Sequence, residues 1–269
     1  MIETTFFAAA DRKYEDFVIP YAASALRFNK EARVEICIED PRRFYLQNQQ
    51  PLEILEEYFP GRLLLRSGLF DNVVANSVRF LERPQVPTEY VYFGDIDILV
   101  LERITPMHLK HMEKTGLPYS NVLRSEGGKL SGLHFTRSEA FYPISPPDNF
   151  DLSRGNDEHL LFEIVSKRSA LPEISDKFRP LHGIHLSPNR RPRGKVGEPD
   201  WSIAPYHASA FRFLIDQPFF KSLCPLFSKR VKVFLMLAHA IIDAEYAGEL
   251  GDEGRKVAAQ WRDQLIAAL

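Results

Sequence analysis

Residues Tyr90 to Leu101 read YVYFGDIDILVL, two apolar runs separated by Gly94 and by carboxylates at Asp95 and Asp97. An aromatic and β-branched run of this kind predicts a buried strand. The apolar residues on both sides put the acids at the strand's end rather than on a wet surface loop. Isolated carboxylates in low dielectric carry a large desolvation penalty unless they are paired or coordinate a cation, and two close together also repel each other. A hard divalent ion suits their oxygens, most naturally one shared with a substrate's phosphates. The acids can also be satisfied locally, by capping the next turn or pairing with arginine. Asp-x-Asp alone does not choose between the two.

Upstream, Thr4 to Ala10 predicts a short buried strand that ends at Asp11. Tyr14 to Phe28 predicts a helix, with Phe17, Val18, Tyr21, Ala22, Ala25 and Phe28 close to a helical period and Pro20 marking a kink or the first turn. Ala32 to Ile38 gives a second strand ending at Glu39 and Asp40, Pro51 to Tyr58 a short helix, Leu63 to Leu65 a strand and Asn72 to Leu81 a helix. This alternation predicts an α/β domain with a largely parallel sheet. Ligands of such sheets bind outside the carboxyl ends of the strands, where Asp11, Glu39, Asp95 and Asp97 all fall. Neither Gly-x-Gly-x-x-Gly after the first strand nor Gly-x-x-x-x-Gly-Lys-Ser/Thr is present, which argues against a Rossmann dinucleotide site and a P-loop.

Downstream, Thr105 to Glu113 predicts a helix and residues 116–128 a loop. Lys129 to Thr136 (KLSGLHFT) predicts a strand on which Ser131 and Gly132 leave room for a ligand. After the turn-rich stretch from Pro143 to Gly155, Asn156 is a good N-cap, so Asp157 and Glu158 read either as first-turn acids favoured by the helix dipole or as catalytic groups. LHGIHL, Leu181 to Leu186, carries two histidines. The alternation after its glycine puts His185 on the polar face of a short strand, while His182 contacts a diphosphate or caps the loop. Arg190, Arg191, Arg193 and Lys195 follow, cations of the kind an anionic leaving group needs. Apolar helices are predicted over Tyr206 to Phe213, Pro218 to Phe227 and Arg230 to Tyr246, packed internally. A surface-lying membrane helix is the competing view, on the strength of Lys221, Lys229, Arg230 and Lys232. Gly251 to Leu269 predicts a last amphipathic helix striped by Val257, Trp261, Leu265 and Ile266.

Composition removes other classes. With 45% hydrophobic and 26% charged residues the chain is globular rather than disordered or coiled-coil, and 34 Lys and Arg against 36 Asp and Glu give no basis for recognising nucleic acid by bulk charge. Cys37 and Cys224 are the only cysteines, so neither a disulfide framework nor a thiolate zinc site is signalled, and a reducing compartment is the easier reading. The first residues lack a signal-peptide pattern, and no stretch approaches the ~18 apolar residues of a membrane span.

Taken in order, these motifs resemble the GT-A glycosyltransferases, most nearly the retaining galactosyl- and glucosyltransferases of the lipopolysaccharide and glycogenin type, from about Phe6 to Arg191. AAADRKYEDFVIPYAASAL is similar to that family's first strand, Asp, Tyr and helix, which implies that Asp11 meets a uracil edge, Tyr14 stacks on the base and Ala9 borders the nucleotide. Arg79 stands where the family has a basic residue reaching the acidic sites and diphosphate. VYFGDIDILV is similar to its Asp-x-Asp strand, with Gly94 where leucine or alanine is commoner. The likeness implies that Asp95 touches ribose and metal and that Asp97 binds the metal. SGLHF resembles an Asn-x-Gly segment, with Lys129 or Leu130 in place of the asparagine, and implies sugar contacts at Ser131, Gly132 and His134. NDEHLL resembles an Asp-Gln pair, with Glu158 replacing glutamine, and implies catalytic roles for Asp157 and Glu158. GIHLS resembles the histidine strand that completes the metal site at His185, with His182 beside the diphosphate and NRRPRGK in place of lysine-proline-tryptophan.

The resemblance implies a GT-A fold, a Rossmann-like mixed and mostly parallel sheet flanked by helices. Residues 1–200 would form the nucleotide-sugar-binding and catalytic domain and 201–269 a helical extension packed on it. It implies a retaining hexosyltransferase using Mn²⁺ or Mg²⁺, with a UDP-sugar donor and an oligosaccharide or lipid-linked glycan acceptor. The setting implied is bacterial surface polysaccharide or lipopolysaccharide synthesis, cytoplasmic and peripheral at the inner face of the membrane. It sets no oligomeric state. A noncatalytic nucleotide- or carbohydrate-binding module and a metal-dependent nucleotidyltransferase or phosphohydrolase are the alternatives.

Overall fold

Every residue of the first strand, Thr4–Ala10 (β1), is buried, and its side chains alternate between two cores. Phe6, Ala8 and Ala10 enter one, and Phe7 and Ala9 the other. Such a strand needs helices on both faces, as parallel strands generally do. The computed structural model describes residues 4–124, 127–144, 146–148, 150–173, 182–186 and 205–246. After β1 come a 3-10 turn (Glu15–Phe17), α1 (Val18–Phe28), β2 (Ala32–Ile38), α2 (Pro41–Gln47), α3 (Gln49–Tyr58), β3 (Leu63–Ser67), α4 (Ala75–Leu81) and β4 (Tyr90–Phe93). Then follow β5 (Ile98–Val100), α5 (Ile104–Thr115), β6 (Tyr119–Ser120), β7 (His134–Arg137), α6 (Ser138–Phe141), α7 (Asp157–Ser166), β8 (Gly183–His185), α8 (Pro205–Ile215), α9 (Pro218–Leu223) and α10 (Lys229–Tyr246).

Six strands form one sheet in the order β3-β2-β1-β4-β7-β6. β3, β2, β1 and β4 run parallel, β7 is antiparallel to β4, and β6 is antiparallel to β7. The predicted α/β architecture, a mixed and mostly parallel sheet between helices, is the observed one. YVYFGDIDILVL departs from the expected single strand. The chain leaves the sheet after Phe93, and its second apolar run becomes β5, which pairs with β8 in a separate two-stranded sheet.

Other boundaries shifted for local reasons. Pro20 sits in the first turn of α1, where a missing N–H is harmless. The predicted helix from Asn72 starts only at Ala75, because Asn72 takes a φ of 57° and Val74 is still extended. The strand expected from Lys129 is regular only from His134. α2 went unread: Asp40, read only as closing the second strand beside Glu39, is its N-cap, accepting the Arg43 N–H at 3.0 Å, with Pro41 opening the helix.

α8 to α10 share the larger core with α1 and the sheet through Phe211, Phe219, Phe220, Leu223, Val231 and Phe234. The cations that suggested a membrane face are largely engaged: Lys221 with Asp216, Arg230 with the Lys13 carbonyl and Lys232 with the Pro225 carbonyl. Internal packing is therefore the observed arrangement. Among the described residues no helix is long and apolar enough to cross a membrane. The basic run at Arg190 to Lys195 and the predicted last helix, Gly251 to Leu269, lie outside the described residues.

Histidine is unusually prominent in the interior: His108, His111, His134, His182 and His207 are all buried. Burial pushes His134 and His182 down to about 3, so both are neutral in the fold, whereas their unfolded counterparts titrate near ~6.5. Between those values the unfolded chain binds more protons, so stability rises with pH and is lost on acidification. Urea unfolding followed from about pH 7 to about pH 4.5 is expected to show a falling midpoint, at up to ~1.4 kcal/mol per pH unit for each such histidine. A midpoint flat across that window would contradict neutral burial.

Candidate active site

The site begins where β4 ends. A Cβ on Gly94 would lie 2.5 Å from the Tyr21 hydroxyl and 3.1 Å from the Tyr92 ring, so this crossing admits only glycine. Both tyrosine hydroxyls are buried without a hydrogen-bond partner among the described residues. The chain then turns, with the Ile98 N–H donating to the Asp95 carbonyl at 3.2 Å, and enters β5. Ile98 pairs with His185 across to β8, and the Leu186 N–H donates to the Asp97 carbonyl at 2.7 Å. This ladder brings Asp97 Oδ1 to 3.6 Å from His185 Nδ1.

Ligand atoms of Asp95, Asp97 and His185 all lie within 4.8 Å of one another. Asp97 is only 8% exposed, and His185 Nδ1 is buried with no hydrogen-bond partner among the described residues. Two carboxylates and an imidazole with an orphaned nitrogen suit a divalent ion. The local ladder therefore assembles the group singled out in the sequence. Gly183 makes it possible: its φ is +137°, and a Cβ there would run into the Leu99 carbonyl.

Arg79, from the last turn of α4 and 1% exposed, forms the other half of the site. Nη1 meets Asp95 Oδ1 at 2.6 Å and donates to the Gly94 carbonyl at 2.7 Å, while Nη2 meets Asp157 Oδ2 at 3.1 Å. Asp95 thus takes the local alternative and pairs with arginine, while Asp97 turns to the histidine. Burial opposes the charge of Arg79, but Asp95 and Asp157 more than offset it and keep the guanidinium's pKa raised. Burial, helped by Asp95 and Glu158, lifts the Asp157 carboxyl above the usual carboxylate range against the pull of Arg79.

Ser131 and Gly132 pass over this cluster. A Cβ on Gly132 would lie 3.1 Å from Arg79 Nη2, 3.4 Å from Asp157 Oδ2 and 3.7 Å from Asp95 Oδ1. Asn121, missed in the sequence, clamps the segment: its Oδ1 accepts the Ser131 N–H and its Nδ2 donates to the Ser131 carbonyl, each at 2.9 Å. Nothing in its local pattern marked it, since its partners are ten residues away.

The remaining sequence candidates divide. Asn156 does cap α7, accepting from the N–H groups of Glu158 and His159. Of the two first-turn acids only Asp157 joins Arg79, because Glu158 turns to Arg124 at 2.8 Å. Asp11 folds back on its own turn, with Oδ1 accepting the N–H groups of Lys13 and Tyr14 at 3.1 Å. Tyr14 is half-buried beside it, and the Ala9 side chain is buried in the second core. His134 is enclosed by Phe93, Tyr119 and Phe141, with Nδ1 2.9 Å from Asn121 Nδ2, so a sugar contact through its side chain is not what the structure shows. His182 is packed between the rings of Tyr92 and His108, 4% exposed, so its ring belongs to the core rather than to an open path. Strand alternation turned the His134 ring inward, whereas His182, just before β8, is held inward by the rings it stacks on.

No family model matches the sequence, and no curated protein matches it. Among solved structures, the glycosyltransferase GlyE of Streptococcus pneumoniae TIGR4 shares 16% identity at a TM-score of 0.38, over 52% of this chain and 35% of GlyE. TarS 1–349 of S. aureus shares 11% identity at 0.44, over 98% of this chain and 92% of that one. The galactosyltransferase LgtC, in complex with donor and acceptor sugar analogs, shares 14% at 0.34, over 62% and 65%. The chain thus spans about a third of GlyE, and at these TM-scores the likenesses carry no conclusion about activity.

Two glycine substitutions probe the geometry in opposite ways. Gly183→Ala is expected to cost at least ~2 kcal/mol by combining backbone strain with a main-chain clash, and to remove His185 from Asp97. Gly132→Ala needs only a small shift and is expected to keep stability within ~0.5 kcal/mol while filling the space above Arg79 and Asp157. Thermal melting with Mn²⁺ titration checks both, and an undisturbed melting point and ion affinity in Gly183→Ala would contradict the assignment.

Proposed function

We propose that this protein is a metal-dependent glycosyltransferase that moves a hexose from a UDP-sugar to the hydroxyl of an oligosaccharide or lipid-linked glycan. The observation that carries the reading is the convergence of Asp95, Asp97 and His185 within 4.8 Å beside the Arg79–Asp157 pair. The group lies where β4 leaves the sheet, at the carboxyl end of its parallel strands, the usual ligand position in such folds. Bacterial surface polysaccharide or lipopolysaccharide synthesis, at the cytoplasmic face of the membrane, is the setting we assign, on the sequence resemblance.

Mn²⁺ or Mg²⁺ held by Asp95, Asp97 and His185 would supply positive charge for the diphosphate leaving group. Arg79 orients Asp95 and Asp157 through two prongs of one rigid guanidinium, fixing the two acids relative to each other. Asp157 faces the space over Gly132, where donor sugar and acceptor hydroxyl meet. In a retaining course it orients the acceptor or stabilises positive charge at the anomeric carbon. In an inverting course its ionised carboxylate would take the acceptor hydroxyl's proton, and its raised pKa would make it the stronger base. Asp11 and Tyr14, on the turn after β1, are assigned to the uracil base, and Ser131 and Gly132 to the sugar. Glu158 anchors the neighbouring loop through Arg124 and takes no direct part.

Calorimetric titration with UDP in the presence and absence of Mn²⁺ tests the proposal. UDP is expected to bind, and to bind more tightly with the ion; binding indifferent to Mn²⁺ would reject it. Asp97→Asn keeps side-chain volume while removing an anionic ligand, and is expected to abolish ion-supported transfer with the fold intact. Asp157→Asn is expected to retain Mn²⁺-dependent UDP binding yet lose turnover by roughly 10²-fold or more, the pattern of an interaction made chiefly in the transition state. Normal turnover in Asp157→Asn would return that acid to a purely structural role at the helix start.

A further inference from the structure

The turn after β1 is fastened from two sides. From within, Asp11 ties down Lys13 and Tyr14, as described above. From outside, the first turn of α10 closes on it, more than 200 residues later in the chain. Arg230 Nη1 donates to the Lys13 carbonyl at 2.6 Å, and its guanidinium carbon lies 4.8 Å from the Phe17 ring centroid and 5.6 Å from that of Tyr14. Ser228 Oγ donates to Asp16 Oδ2 at 3.0 Å, and Phe234 packs on Phe17 with ring centroids 6.3 Å apart.

Those contacts do two different jobs. Of the residues in this turn, Ser228 meets Asp16 and Phe234 meets Phe17, so they dock the helix. Arg230 additionally reaches Tyr14 and the peptide in front of it, at the sheet end where ligands bind. It is only half-buried, and among the described residues its one hydrogen bond is to the Lys13 carbonyl, so its planar face lies against the aromatic pair rather than in a network of acids. Lys13 Nζ, 5.7 Å from the Tyr14 ring centroid, adds a second cation to the same aromatic. An aromatic ring flanked by cations at the carboxyl end of a parallel strand suits a ligand that is both planar and anionic. A nucleoside diphosphate is such a ligand.

We infer that Arg230 is a positioning residue for the nucleotide, holding the Tyr14 ring and the Lys13 peptide in their binding geometry, so that α10 completes the nucleotide pocket. This rests on the proposed nucleotide-sugar reading and extends it to a helix that neither composition nor motif connected with the site. The metal group does not depend on it, because β5, β8 and α4 build that group without α10.

The test is calorimetry of UDP binding at saturating Mn²⁺ for the unmodified protein, Arg230→Met, Tyr14→Ala, the double variant and Ser228→Ala, with melting curves and Mn²⁺ affinity as controls. Arg230→Met is expected to weaken UDP binding about five- to tenfold, as the loss of a cation–aromatic contact and a charged hydrogen bond predicts, with Mn²⁺ affinity unchanged. Because Arg230 acts through Tyr14, the double variant is expected to bind no more weakly than Tyr14→Ala alone. Ser228→Ala, which loosens docking only, is expected to lower the melting point without changing UDP affinity. Wild-type affinity in Arg230→Met, additive losses in the double variant, or an equal loss in Ser228→Ala would each overturn the inference while leaving the transferase reading standing. An unmodified protein with no affinity for UDP would overturn both.

Discussion

One buried guanidinium organises the site. Arg79 contacts Asp95, the Gly94 carbonyl and Asp157 from a position 1% exposed to solvent. Burying such a charge is costly unless its partners are close and well aligned, and here the cation and its partners come from three different parts of the chain. The helix before β4 supplies the cation, the turn after β4 one acid, and the start of α7 the other. Asp95, Asp97 and Asp157, when ionised, outnumber Arg79 by two charges, and that excess is what a divalent ion would neutralise. The same arginine therefore fixes the acids and leaves the site short of positive charge.

The exit of the chain from the main sheet follows from the same turn. Gly94 has no room for a side chain between Tyr21 and Tyr92, so the backbone passes where a larger residue would collide. Beyond it β5 finds a new partner in β8 instead of extending the six-stranded sheet. That separate pair is short, but its register decides which histidine meets Asp97. His185 lies opposite Ile98, next to the acid turn, while His182 falls outside the ladder and is drawn between aromatic rings.

The helices after residue 205 belong to this architecture energetically. Their aromatic residues complete the core on the α1 face, and removing that much apolar surface from water is the dominant favourable contribution to such packing. Arg230 and Ser228 then fasten α10 to the turn that carries Asp11 and Tyr14. Packing and site construction are thus coupled through one helix end.

Much of this was legible in the residues themselves. β1 and β2 matched their predicted limits because β-forming segments with Phe6 to Ala10 and Val34, Ile36 and Ile38 at their hearts are bounded by charges, and Asn156 capped α7 because its side chain satisfies N–H groups only two and three positions away. The pairing of Asp97 with His185 was legible too, through the alternation of a short strand. What the tertiary structure alone decided are the contacts whose partners lie far apart in sequence. The resemblance sets Arg79 toward the acids but does not give its bridging of two acids 16 and 78 residues away; Asn121 reads a neighbouring loop, and His134 and His182 face inward instead of toward the cleft. Local pattern fixes which way a side chain alternates. Only the assembled layers determine whether the space on that side is water, core or an opposing charge.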